Sequence, residues 1–206
     1  MRRFLFSLSL FLFSALPLSA SAASSTFEQE MAQAKQHLEA KAYPEALEAY
    51  SKALNQQPSS LQALLGRAQV YYDQSEADDF IYARFELLEK ALDDLQLALK
   101  HHKDQADALI FRANIYREMA EIKAEMGANA VSYWEYYSAE VEPYYTKAIE
   151  DYEKLIKLGK FEAQSKYYLV VLDESGLMDP QQQQAYLKRS CELKFEPACT
   201  LLSSGY

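Results

Sequence analysis

An eight-residue signature, L-x-x-R-A-x-x-Y, occurs twice in this chain, at Leu64–Tyr71 and again 45 residues later at Leu109–Tyr116. A unit that recurs must pack on copies of itself, so this constrains the fold more tightly than composition does. In each copy the leucine, alanine and tyrosine fall at i, i+4 and i+7, one stripe of a 3.6-period helix. A second kind of stripe alternates with the first. It reads Ala46/Tyr50/Ala53, then Ala91/Leu95/Ala98, then Ala148/Tyr152/Leu155. The small alanines let a neighbouring helix approach closely, and the larger residue between them fills the remaining space. Pro44 suits the first turn of the earliest such helix, and Pro58 stops it.

The stretch Pro44–Pro58 resembles the second helix of a tetratricopeptide repeat (TPR), a family with a 34-residue period. The resemblance implies an all-α fold, a TPR-like helical-hairpin solenoid, and a binding scaffold as its use. Placing Ala46 at the family's first small position gives a first unit of about 27–60, with Ala34 at the small position of its first helix. Gln33, His37 and Lys41 depart from the pattern, which there favours leucine, tyrosine and a turn glycine. Units of about 61–105, 106–162 and 163–206 follow. Thr26-Phe-Glu-Gln29 has the spacing of a capping box, so a helix is expected to begin there.

The second and third units are longer than 34 residues, and neither insertion reads as a loop. Phe80–Lys90 lacks Gly and Pro and keeps helical spacing, so it is expected to extend the second helix of unit two. Met119–Met126 is expected to extend the first helix of unit three, with Gly127 as its C-cap. A long helix should then run from about 130 to Gly159, roughly 43 Å at about 1.5 Å per residue. Pro143 predicts a kink or a short break inside it. The two middle hairpins are therefore elongated, and the 119–146 pair is expected to project as an antiparallel arm.

Residues 1–22 read as a secretory signal peptide: Met1-Arg2-Arg3, an apolar run from Phe4, and the small-residue site Ala20-Ser21-Ala22, with cleavage expected after Ala22. The apolar run is shorter than the roughly 20 residues that span a bilayer. No membrane span is expected in the mature chain, and an exported location, periplasmic or else secreted, follows. The formal net charge is −9 and reaches about −11 once the two leader arginines are gone. Nucleic acid and anionic membrane need basic surface, so neither is expected as a partner.

The last twenty residues or so, with Cys191 and Cys199, resemble Sel1-like repeats, relatives of the TPR. In their cysteine-rich members a cysteine ending one helix bonds to one opening the next. That implies a Cys191–Cys199 disulfide, the state also expected of the only two cysteines in an exported chain. A redox-active pair is the other reading, although its usual spacing is C-x-x-C. Asp179-Pro180 reads as an N-cap followed by a first-turn proline, and Ser175-Gly176 as the end of the preceding helix.

No catalytic motif is present: no G-x-S-x-G, Walker loop, Rossmann glycines or H-E-x-x-H. The pairs Asp78-Asp79 and Asp93-Asp94 are neighbours in sequence and read as solvated faces. His101-His102 reads as a solvated turn, and with His37 these are the only histidines, so no metal and no cofactor are expected. Tyr133, Trp134, Tyr137 and Tyr144 belong to an aromatic stretch, with Tyr136 and Tyr145, that either packs as core or forms a binding patch.

In the TPR family ligands lie in a concave groove lined by first helices. By position the resemblance marks Lys35, Gln62, Leu65, Gln69, Tyr72, Asp107, Ile110, Asn114, Arg117, Tyr168 and Val171. Asn114 and Arg117 match parts of the family's carboxylate clamp, while Gln69 and Tyr72 do not. The expected partner is a protein or peptide. Two alternatives stand beside it: an accessory or regulator of cell-envelope polymer enzymes that contacts glycan, and a hydrolase with a dispersed site, for which no motif speaks.

Overall fold

The computed structural model describes residues 19–129, 132–173 and 178–204, with the side chains of 19–25, 133 and 134 left aside. Helix α1 (Ser19–Glu39) pairs with α2 (Tyr43–Gln56), α3 (Leu61–Glu76) with α4 (Ile81–His101), and α5 (Ala106–Gly127) with α7 (Glu142–Lys157). A short α6 (Tyr133–Tyr136) and a π-helix (Tyr137–Val141) lead into α7. Helix α8 (Glu162–Val171) then pairs with α9 (Pro180–Glu192), and α10 (Glu196–Ser203) packs on α9. The principal contacts between hairpins link the second helix of one to the first of the next: α2 with α3, α4 with α5, and α7 with α8. Packing that runs only between neighbours is the mark of a solenoid.

All nine stripe residues, from Ala46, Tyr50 and Ala53 through Ala148, Tyr152 and Leu155, are buried. Each buried Leu or Tyr at such a site is worth about 1.5–3 kcal/mol relative to exposure, before chain entropy is counted. Each repeated arginine grips a carboxylate of the facing helix with two N–H groups. Arg67 Nε and Nη2 donate to Asp94 Oδ2 and Oδ1 at 2.8 and 2.7 Å. Arg112 Nε and Nη2 donate to Asp151 Oδ2 and Oδ1, both at 2.8 Å. Asp94 is buried, so the expectation of a solvated face there is corrected. The carboxylate sits three residues after the stripe alanine in both hairpins, where it meets the arginine of the facing helix.

Three turns close with the same hydrogen-bond pair. After α1, Ala42 N–H donates to His37 O and Lys41 N–H to Leu38 O, both at 2.9 Å. The same pattern recurs at Gly159–Lys160 and at Lys194–Phe195. The central residue is left-handed each time, with φ of 56° at Lys41, 65° at Gly159 and 64° at Lys194. This is the Schellman cap, which favours glycine because a Cβ costs energy at positive φ. Lys41 thus fills the turn-glycine position in the conformation that glycine would take.

Other expectations are corrected. The chain is already helical at Ser19, so Thr26 does not cap a helix; its hydroxyl donates to Gln56 Oε1 at 2.8 Å. Gly127 is not a left-handed cap but lies within α5, where the ring of Tyr136 occupies the space a Cβ would need. The break foreseen at Pro143 is a π-turn, in which Glu142 N–H donates to Tyr137 O five residues back. Proline offers no N–H and crowds the carbonyl four residues earlier, so the helix widens by one residue just before it. The widened turn lets Tyr136 and Val141, five apart, both face α5.

The two elongated middle hairpins are present, but the 119–146 pair is not a free arm. The Phe85 and Tyr144 rings meet edge to face at 6.0 Å, and Lys123 Nζ lies 5.0 Å from the Phe85 ring centre. Arg84 Nη2 reaches Glu118 at 3.2 Å. The extension of α4 therefore braces that of α5 and α7. At the C-terminus Asp179 Oδ1 accepts from Gln181 N–H at 2.9 Å, the expected N-cap. The sulfurs of Cys191 and Cys199 are bonded, joining α9 to α10. Ser175-Gly176 lies outside the described residues, as does residue range 1–18 of the segment read as a signal peptide.

Candidate binding surface

The first helices α1, α3, α5 and α8 carry the residues that the repeat resemblance marks. At the start of the row, Lys35, Gln62 and Asp107 are exposed, and Leu65 is half-buried. Gln69 is half-buried, its amide donating to Asp73 Oδ1 at 2.6 Å. Ile110 belongs to the core, so its side chain is covered. Val171 is exposed at the end of α8.

The remaining four come together. Tyr72 packs edge to face on Phe111 with ring centres 5.6 Å apart. Arg117 lies over the Tyr168 ring, 5.0 Å from its centre, and pairs with Glu121 one turn on. Its Nε is buried without a hydrogen-bond partner. Asn114 Oδ1 accepts from Tyr152 Oη at 2.8 Å and from Gln164 Nε2 at 3.4 Å. Tyr168 in turn stacks on Tyr152 at 5.2 Å. The helices α3, α5, α7 and α8 thus supply one polar-aromatic cluster with Arg117 at its centre.

Electrostatics follow from burial. Loss of water pushes the Tyr72 phenol up to about 12, with the Glu118 and Glu76 carboxylates adding to the effect. Burial also raises the Tyr152 phenol, against the opposing pull of Arg117. Glu118 is held above the usual carboxylate range, first by burial and then by Glu76, with Arg84 pulling the other way. These phenols stay protonated at neutral pH and act there as hydrogen-bonding groups, not as bases.

Of the aromatic stretch, Tyr144 is half-buried and packs against Phe85 and against Tyr116 at 6.4 Å. Tyr137 is half-buried in the π-turn. Tyr133 and Trp134 lie in α6, and their side chains are outside the described residues. His102, read as part of a solvated turn, meets the Ser59 carbonyl through Nε2 at 2.6 Å and so ties two hairpin ends together. Among the described residues no group of three or more His, Cys, Asp or Glu side chains is placed to hold a metal ion. No described helix is long and apolar enough to cross a membrane.

Sequence reasoning missed Phe111, Gln164 and Tyr152 as members of the cluster. Only Tyr152 left a signal, as an aromatic at a stripe position. The two Arg–Asp pairs were also legible in principle, since arginine and aspartate recur together at matching positions of two units.

The helix order and the neighbour-only packing define the class: an all-α, TPR-like helical-hairpin solenoid with two elongated middle hairpins. No family model matches the chain, and no curated protein matches it. Among solved structures, a crystal structure of MamA protein is similar at 20% identity, covering 82% of this chain and 92% of its own, with a TM-score of 0.36. A second crystal structure of MamA is also 20% identical, covering 80% of this chain and 96% of its own, with a TM-score of 0.37. Superposition that loose has no bearing on partner or site.

Proposed function

We propose that this chain is an exported, non-enzymatic scaffold that binds a protein or peptide through the face formed by its first helices. The observation that carries the reading is the Arg117 cluster. A cation stacked on Tyr168, close enough to Tyr72 to act on its phenol and with a buried N–H still unpaired, offers a polar-aromatic contact that a peptide can complete. Tyrosine and arginine are the residue types that dominate binding energy at interfaces. The surface is preformed on packed helices, which limits the ordering entropy lost on binding. In the same reading residues 1–22 are a leader removed after Ala22, units of about 27–60, 61–105, 106–162 and 163–206 stack in order, and the last is a Sel1-like unit closed by its disulfide. The acidic balance of the chain gives nucleic acid no basic surface to meet.

The test is crosslinking and capture from envelope extract, using the mature chain and an Asn114→Ala/Arg117→Ala variant of unchanged helicity. The expected result is a protein retained by the first and lost by the second, with an N-terminus at Ala23 on the exported chain. Retention on purified peptidoglycan in place of any protein would move the assignment to the glycan-contacting accessory role. Retention on neither overturns the scaffold.

A further inference from the structure

Two of the chain's aromatic side chains are far more exposed than any other large apolar group described. Phe80 is 76% exposed and Tyr82 72%, while the next, Val171, reaches 43%. Phe80 caps the start of α4 and Tyr82 lies in its first turn, at the end where the middle hairpins are lengthened. Tip aromatics left this exposed gain little core energy, and their exposure costs solubility.

Charge at this end is as uneven as burial. The segments 76–89 and 117–142 hold 11 carboxylates and three cations, a net of −8 out of −9 for the whole chain. The three cations are already paired: Arg84 with Glu118 and Glu76, Arg117 with Glu121, and Lys123 with Glu140. Phe85 and Tyr144 bring the two segments side by side. Among the described residues no salt bridge reaches Asp78, Asp79, Glu86 or Glu89, which lie within nine residues of the two exposed rings along the chain. The lengthening of the hairpins has thus added an apolar tip inside a strongly negative field.

We propose that this tip, built on Phe80 and Tyr82, docks a basic amphipathic segment of a protein partner, with Lys or Arg side chains beside an apolar one. The rings cover the apolar side chain, and the carboxylates around them attract the cations and speed encounter. Charge selects this occupant over the others. Two copies of the tip, each near −8, repel one another, and an anionic lipid surface is repelled in the same way. The proposal rests on the scaffold reading but is built on Phe80 and Tyr82, neither of which belongs to the Arg117 cluster.

The test is fluorescence anisotropy of a labelled Lys/Leu peptide titrated with the mature chain, alongside an oligolysine peptide of equal charge and a Glu/Leu peptide. The expected order is Lys/Leu tightest, oligolysine weaker and Glu/Leu unbound, with affinity falling as salt rises. Phe80→Ser/Tyr82→Ser should weaken Lys/Leu binding about tenfold, and Asp79→Asn/Glu86→Gln should weaken it at low salt. Glu28→Gln/Glu196→Gln, equal in charge change but placed in the first half of α1 and in α10, should leave it unchanged. Equal binding by the Phe80→Ser/Tyr82→Ser variant, or equal weakening by the Glu28→Gln/Glu196→Gln variant, overturns the proposal. Sedimentation that shows a dimer dissolved by that double variant overturns it in favour of a second copy, and cosedimentation with vesicles in favour of a membrane. If the double variant still captures its envelope partner while Asn114→Ala/Arg117→Ala does not, the scaffold stands and the tip proposal falls.

Discussion

Arg112 and Asp151 form a two-pronged ion pair between the two long helices of the third hairpin, with both N–H···O distances at 2.8 Å. The Asp151 side chain is 5% exposed and that of Arg112 23%. Hydrogen bonding to Asp151 keeps the guanidinium protonated more firmly than usual. Asp151→Ala strands a partly buried cation and should cost about 2–3 kcal/mol, short of the roughly 3–5 of a fully buried pair because Arg112 keeps some water. Arg112→Met/Asp151→Leu should recover most of that loss. Urea unfolding of the three chains checks both outcomes.

Two glycines separate backbone freedom from packing. Gly159 has φ +65° and nothing within 4 Å of where a Cβ would stand, so Gly159→Ala should cost about 1 kcal/mol through the backbone alone. Gly127 is the last residue of α5, where alanine would otherwise gain a little helix propensity. The Tyr136 ring must move to admit that methyl group, so Gly127→Ala should be destabilising by about 1–2 kcal/mol net. A thermal melt in which Gly127→Ala is the more stable chain would place Tyr136 elsewhere.

Lys41 and Lys194 pay the cost that Gly159 avoids. Lys41→Gly should stabilise the chain by about 0.5–1 kcal/mol, because it removes the Cβ strain at φ 56° without touching a buried contact. The readout is the urea midpoint at unchanged slope.

Glu118 sets a pH dependence. Burial, then Glu76, raises its folded-state value above the ordinary 4.5. A carboxyl raised in this way stabilises the fold fully below its unfolded value, and that contribution is lost as pH rises through the folded one. Between pH 4.5 and neutrality, stability should therefore decline by this group's share. Glu118→Gln should flatten that slope, seen as a smaller change in urea midpoint across the window. A steeper slope in the variant would refute the assignment.

The Cys191–Cys199 bond spans eight residues and joins the last two helices. Its removal by Cys191→Ala/Cys199→Ala should cost roughly 2–3 kcal/mol. In a solenoid the loss should stay local. Hydrogen exchange should speed up in α9 and α10 and stay unchanged in α3 and α5.

How much was legible follows from what each signal depends on. The stripes Ala46/Tyr50/Ala53, Ala91/Leu95/Ala98 and Ala148/Tyr152/Leu155 marked buried helix faces correctly, because a 3.6-residue period is a local property. The lengthening of α4 and α5 was equally readable, since neither stretch holds a helix breaker. Pro143 announced a disturbance but not its form, because a π-turn depends on what the widened turn must face.

The sequence by itself determined the helices, their pairing into hairpins and the class of fold, since these rest on periodicity, caps and small residues close along the chain. Only the tertiary structure decided where Asp94 and Asp151 point, what covers Ile110, and that Arg117 meets Tyr168. Those relations join residues 27 to 51 positions apart, and the insertions set the register at which they meet. The same holds for the elongated hairpins: their length was written in the sequence, but their bracing through Phe85, Glu118 and Tyr144 was not. Helix propensity acts within a few residues, whereas the choice of neighbour depends on how two complete helices stack.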